Sequence, residues 1–110
     1  MTGNDVLPMA PRDLAARLEA GEDLLVVDVR EREELAICSI RGAQHLPLGE
    51  LPERIAELDP ARPTVCVCHH GVRSAHAAHY LAENGFELLY NLSGGVDRWA
   101  TEVDPSMARY

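Results

Sequence analysis

The sequence predicts an α/β domain in which a parallel sheet is covered by helices on both faces. Three observations carry that prediction. Two short runs, LLVVDV at 24–29 and TVCVC at 64–68, are almost continuously apolar and valine-rich, the pattern of strands buried on both sides. Segments with helical spacing of apolar residues alternate with these and other strand-like runs. Glycine, proline and acidic turn residues punctuate the 110 residues at short intervals, and that length suits one domain.

Each element follows in order. APRDLAARLEAGED at 10–23 reads as a helix, with Leu14, Leu18 and the alanines on one stripe and Gly21 able to close it. LLVVDV is a buried strand with Asp28 near its C-terminal end. REREELAI at 30–37 is a short charged helix whose apolar side is Leu35 and Ile37, and GAQHLPL at 42–48 holds a short strand ended by Pro47. LGELPERIAEL at 48–58 is helical, with Leu51, Ile55 and Leu58 one turn apart, and DPARP at 59–63 is a turn. TVCVC is the second buried strand, with Cys68 as its last residue. RSAHAAHYLAENG at 73–85 is a helix whose packing face is Ala75, Ala78, Leu81 and Ala82, with Gly85 at its C-cap. FELLYNL at 86–92 is a strand, and SGGVDRWATEV at 93–103 is a glycine-rich turn into a last helix anchored by Trp99. The expected domain is 1–110, with 1–10 and 104–110 as terminal arms. Ligands of such sheets sit at the C-terminal ends of strands, so Asp28 and Cys68 are expected to share a crevice.

Composition narrows the function classes. The formal charge is −8, which disfavours nucleic acid and anionic membrane surfaces as partners, because both are bound by clustered Lys and Arg. A small anion held by one arginine and a ring of backbone N–H groups is still compatible. Three cysteines are too few and too odd in number for a disulfide scaffold. The start MTGNDVLPMAPRD lacks the features of a signal peptide, and no apolar run approaches the ~20 residues of a membrane helix. A cytoplasmic protein with reduced thiols is the expectation, and nothing in the sequence demands more than a monomer.

The chemistry concentrates at CHHGVRS, residues 68–74. A cysteine ending a buried strand is followed by a turn and then a helix. Gly71 permits a backbone conformation that most residues resist, so successive N–H groups can converge on one atom. The helix N-terminus and Arg73 add positive charge, conditions that favour a nucleophilic thiolate and equally a terminal persulfide. Cys66 shares the side-chain direction of Cys68 but lies in the strand interior, where nothing activates it. Zinc is disfavoured, because Cys66 and Cys68 form C-x-C on an extended strand, and His76 and His79 fall on the solvent side of the helix. No metal and no cofactor are expected.

CHHGVRS resembles the active-site loop of the rhodanese-like sulfurtransferases: a strand-terminal cysteine, two variable residues, glycine, a variable residue, arginine and often serine. Other landmarks of that family appear in order. DVREREEL is similar to its Asp-x-Arg-Glu segment, IRGAQHLPL to its Ile-x-Gly-Ala segment, and NLSGGVDRWATEV to its Leu-x-Gly-Gly-x-x-x-Trp segment. The ending EVDPSMARY resembles a tail of some bacterial members. The resemblance implies a three-layer α/β/α sandwich with a five-stranded parallel sheet of order 3-2-4-5-1. It implies transfer of a sulfane sulfur from a donor such as thiosulfate, through a Cys68 persulfide, to cyanide, a thiol or a sulfur carrier. His69, His70, Gly71, Val72, Arg73 and Ser74 then form the sulfur-holding loop. Asp28 braces the region, and Arg30 pairs with an acidic neighbour such as Glu34.

Two positions depart from the family pattern. Cys38 and Ser39 stand where many members have Gly-His, and a role for Cys38 as a resolving thiol requires it to reach Cys68. His69 and His70 stand where thiosulfate-preferring members often carry basic residues. Neutral imidazoles draw a dianion less strongly, and imidazoles charge only below about pH 6.5, so donor use is expected to be pH-sensitive. The related phosphatases have one more residue between cysteine and arginine than the HHGV found here. A non-catalytic regulatory module and an arsenate reductase on the same scaffold are the alternatives.

Overall fold

Five parallel strands form one sheet in a computed structural model that describes residues 5–110. In chain order the elements are β1 (Val6–Met9), α1 (Pro11–Glu19), β2 (Leu25–Asp28), α2 (Arg32–Ile37), β3 (Gln44–His45), α3 (Leu51–Arg54, flanked by two 3-10 turns), β4 (Thr64–Val67), α4 (Val72–Glu83), β5 (Leu89–Leu92) and α5 (Gly95–Glu102). The spatial order is β1-β5-β4-β2-β3, which from the other edge is the expected 3-2-4-5-1. All residues of β2 and β4 are buried, because helices cover both sides of the sheet centre.

Side-chain alternation divides the core in two. Leu25, Val27, Cys66 and Cys68 pack on one face with Leu51 of α3 and with Ala77, Ala78, Leu81 and Ala82 of α4. Val26, Val65 and Val67 pack on the other with Leu14 of α1 and with Val96 and Trp99 of α5. Trp99 anchors the last helix as the sequence suggests. The buried face of α4 is rotated from the predicted one: Ser74 and Ala77 are buried, while Ala75 is only half-buried. In α2 no residue is buried and Ile37 is 44% exposed, so its charged sequence produces a surface helix rather than a core one.

The described parts of both expected arms pack against the folded body. Residues 1–4 of the first lie outside the described residues, but Val6–Met9 is the edge strand paired with β5. Pro8 is tolerated there because an edge strand need not donate on both sides. The second arm turns back at Asp104, whose Oδ1 accepts the Ser106 N–H at 3.2 Å, and Met107 packs against the α1–α5 core.

Candidate active site

The strand β4 ends one residue before the position predicted for it. Cys68 is the first residue beyond the strand, and its carbonyl accepts the Val96 N–H at 2.9 Å instead of a ladder bond. The His69 carbonyl likewise accepts the Asp97 N–H at 3.1 Å. The start of α5 therefore finds its missing acceptors in the backbone just after β4. Gly95 is required at this junction: a Cβ there would lie 2.3 Å from the His69 oxygen and 2.4 Å from the Cys68 oxygen.

The turn then reverses over the sulfur. Gly71, at φ +107°, is the N-cap of α4, and its N–H donates to Cys68 Sγ at 3.0 Å. One turn on, the buried Ser74 hydroxyl lies 3.2 Å from the same sulfur. Ser74 also hydrogen-bonds Asn91 Oδ1, and Asn91 Nδ2 donates to the Gly71 carbonyl at 2.9 Å. The β4–β5 register pairs Cys66 with Asn91, which places the Asn91 side chain on the face of Cys66 and Cys68. Asn91 thus ties the loop glycine to the serine that touches the sulfur. In the sequence, the signal of Asn91 is a polar residue inside the apolar FELLYNL run.

Cys68 itself is 1% exposed. Cys66, fully enclosed below it, has its thiol pushed up to about 12 by burial first and by Cys68 second, so it stays protonated and inert. His70 and Val72 are exposed at the mouth of the loop, and His76 and His79 face solvent along α4. Among the described residues, no three His, Cys, Asp or Glu side chains group as a metal would require.

The charged residues arrange themselves differently from the expectation. Arg73 is engaged by both oxygens of Glu34, at 2.6 and 2.8 Å. The Arg73 hydrogen bonds, against the smaller cost of burial, lower the Glu34 carboxyl to about 2. Arg30 does not pair with the Glu34 carboxylate; it is fully buried and bound by Asp28 at 2.8 Å through Nη2 and 3.0 Å through Nε. The reason is placement. Asp28 lies beside Val67 in the β2–β4 register, on the sheet face opposite Cys68, so Asp28 and Cys68 do not share one crevice. Arg30 also donates to the Cys38 carbonyl at 2.8 Å and approaches Cys38 Sγ at 3.7 Å. That places Cys38 with the Arg30 side of the sheet, away from the sulfur of Cys68.

Tyr110 joins the two ion pairs. Its hydroxyl accepts from Arg30 Nη1 at 2.9 Å and donates to Glu34 Oε2 at 2.7 Å, and its ring stacks on His69 at 3.8 Å. Burial first, then neighbouring His70, holds the His69 imidazole below its ordinary range.

Comparison with known proteins bears on this arrangement. A family model for the rhodanese-like domain matches residues 10–102. A sulfurtransferase of Allochromatium vinosum is 38% identical over 95 residues, covering 86% of this chain and 89% of that protein. The thiosulfate sulfurtransferase GlpE of Pseudomonas putida is 37% identical over 89 residues, 81% of each. Among solved structures, a rhodanese-like domain protein from Staphylococcus aureus matches with a TM-score of 0.82 at 28% identity, covering 96% of this chain and 99% of that one.

Proposed function

The chain belongs to the rhodanese-like domain family, and on that premise we propose that it transfers a sulfane sulfur from a donor such as thiosulfate to a nucleophilic acceptor through a Cys68 persulfide. One observation supports this most: Cys68 Sγ lies at the N-terminus of a 12-residue helix and accepts the Gly71 N–H, with the Ser74 hydroxyl beside it. The Gly71 N–H and the helix N-terminus favour negative charge on sulfur.

The chemistry is two displacements. The Cys68 thiolate attacks the outer sulfur of thiosulfate; the new S–S bond forms as the old one breaks, and sulfite leaves with its electron pair. The terminal sulfur of the persulfide now carries the negative charge and is held by the loop N–H groups of 69–73. Cyanide, or a thiolate of a small molecule or a sulfur carrier, then attacks that sulfur, and the Cys68 thiolate is the leaving group. Electrons balance at each step, so the transfer needs no outside oxidant or reductant. Splitting the transfer in this way is covalent catalysis.

The four-residue spacing between Cys68 and Arg73 suits one sulfur atom rather than a phosphate. Arg73, held by Glu34, fastens the loop more than it draws the donor, which supports cyanide and thiosulfate as assay reagents rather than as a statement of the cellular pair. The test is steady-state thiocyanate formation with thiosulfate and cyanide varied together. Ping-pong kinetics with parallel double-reciprocal lines is expected, with activity lost in Cys68→Ala. Intersecting lines, or full activity in Cys68→Ala, would overturn the reading.

A further inference from the structure

Tyr110 lies beyond the residues matched by the family model, in a segment the sequence presents as an arm, yet one side chain there stacks on the first residue of the loop after Cys68 and is linked through Glu34 to the last. His69 opens that loop, and its ring is stacked against the Tyr110 ring at 3.8 Å with 10° between the planes. His69 Nε2 is shielded from solvent. Arg73 closes the loop, and Glu34, which binds Arg73 with both oxygens, also accepts the Tyr110 hydroxyl at 2.7 Å.

The direction of that last hydrogen bond is fixed by chemistry. Arg30 Nη1 reaches the phenol oxygen at 2.9 Å, and a guanidinium has no acceptor. The single phenol hydrogen must therefore point to the Glu34 carboxylate, an ionised group that can only accept. Tyr110 is thus inserted between the buried Asp28–Arg30 pair and the partly exposed Glu34–Arg73 pair. Contacts other than the phenol also hold the tail in place. Asp104 Oδ1 accepts the Ser106 N–H, the Met107 N–H donates to the Asp104 carbonyl at 3.0 Å, and Arg109 pairs with Asp97 at 3.0 Å.

We propose that Tyr110 is a positioning residue of the sulfur-transfer site, holding the Cys68 loop at its first residue by stacking on His69 and at its last through Glu34 and Arg73. The inference rests on the sulfur-transfer reading for its kinetic consequence only. A loop held at both ends presents its N–H donors to the sulfur before substrate arrives, so the effect falls on the rate of sulfur transfer rather than on donor binding.

The test compares Tyr110→Phe and Tyr110→Ala with wild type in the full chain. Three quantities are read: the single-turnover rate of Cys68 sulfuration by thiosulfate, the NMR titration of the His69 imidazole, and the rate of Cys68 alkylation by iodoacetamide, located by peptide mapping. Tyr110→Phe keeps the stack and loses both charge-assisted hydrogen bonds of the phenol, of which the one to Glu34 bears on the loop, so sulfuration slows by about tenfold. Tyr110→Ala also loses the stack, worth about another threefold. The KM for thiosulfate stays within about twofold in both. Freed of its cover, His69 titrates higher in Tyr110→Ala but not in Tyr110→Phe, with His70, Asp97 and Glu34 as the other charged neighbours acting on it. Cys68 alkylation accelerates in Tyr110→Ala.

A purely structural role would lower thermal stability yet leave the sulfuration rate of the folded molecules and the His69 titration unmoved, and that result overturns the proposal. Equal sulfuration in all three proteins also overturns it while leaving sulfur transfer standing. If wild type is never sulfurated but His69 titration and Cys68 alkylation respond as described, the loop-holding role stands and the sulfur-transfer reading falls.

Discussion

Replacing Asp28 by alanine should cost more stability than any other single carboxylate deletion in the domain. Arg30 has no exposed surface, and Asp28 is 1% exposed. Burial alone would lower the Arg30 pKa, but the hydrogen bonds it donates to Asp28 and Tyr110 outweigh it and raise it. In Asp28→Ala the guanidinium keeps the Cys38 carbonyl and the Tyr110 oxygen as acceptors but loses its countercharge. Breaking a buried pair from one side costs roughly 3–5 kcal/mol, because a charge is left unpaired in the interior. A domain of this size has roughly 5–15 kcal/mol in total. At about 4 °C per kcal/mol, the melting temperature should fall by roughly 12–20 °C.

Urea unfolding measures the loss directly, with an unchanged m-value as the condition for reading it as stability. Asp28→Asn, which keeps the shape and one acceptor, should cost about half as much. Joint replacement by Asp28→Leu and Arg30→Met should recover most of the loss, since a packed apolar pair often matches a buried ionic one. A loss below about 1 kcal/mol in Asp28→Ala, or a double variant as unstable as the sum of the singles, would refute this reasoning.

Further outcomes follow from the same geometry. Ser74→Ala removes the hydroxyl packed beside Cys68 Sγ and leaves Asn91 Oδ1 without its hydroxyl donor, loosening the Asn91 tie to the loop; thiocyanate turnover should drop by about tenfold and stability by about 1–3 kcal/mol, read by steady-state assay and urea unfolding. Gly95→Ala would drive a Cβ to 2.3 Å from the loop backbone at a φ of +60°, so turnover should fall at least about a hundredfold or the protein should fail to fold. Gly85→Ala, also at positive φ but in open space, should cost only about 1 kcal/mol and keep full activity. Glu34 has a folded-state pKa of about 2 against an ordinary 4.5, so its contribution is complete above pH 4.5 and is lost as the pH falls from there towards 2. With allowance for the solvent around Arg73, that contribution is roughly 2 kcal/mol, and urea unfolding of Glu34→Gln should show a correspondingly smaller acid loss across that window.

The central strands were legible because burial on both faces leaves a continuous apolar run, as in LLVVDV and TVCVC. The loop after Cys68 was legible because its marker residues are local: cysteine, glycine, arginine and serine lie within seven residues. The edge strand Val6–Met9 was not, since it is four residues long, contains Pro8 and exposes its middle positions. The pairing of charges was not legible either. Glu34 is four residues from Arg30 and 39 from Arg73, yet it binds the latter, because α2 sits across the strand ends from α4 while Asp28 shares a sheet face with Arg30. Asn91 and Tyr110 act across 20 and 76 residues of sequence, distances at which spacing carries no information without the fold.

The most direct test of the account is the intact mass of the reduced protein after thiosulfate, and again after cyanide. Wild type should gain one sulfur atom and lose it on cyanide addition as thiocyanate appears, and Cys68→Ser should gain none. Equal sulfur uptake by wild type and Cys68→Ser, or an adduct that cyanide does not remove, would contradict a Cys68 persulfide as the carrier.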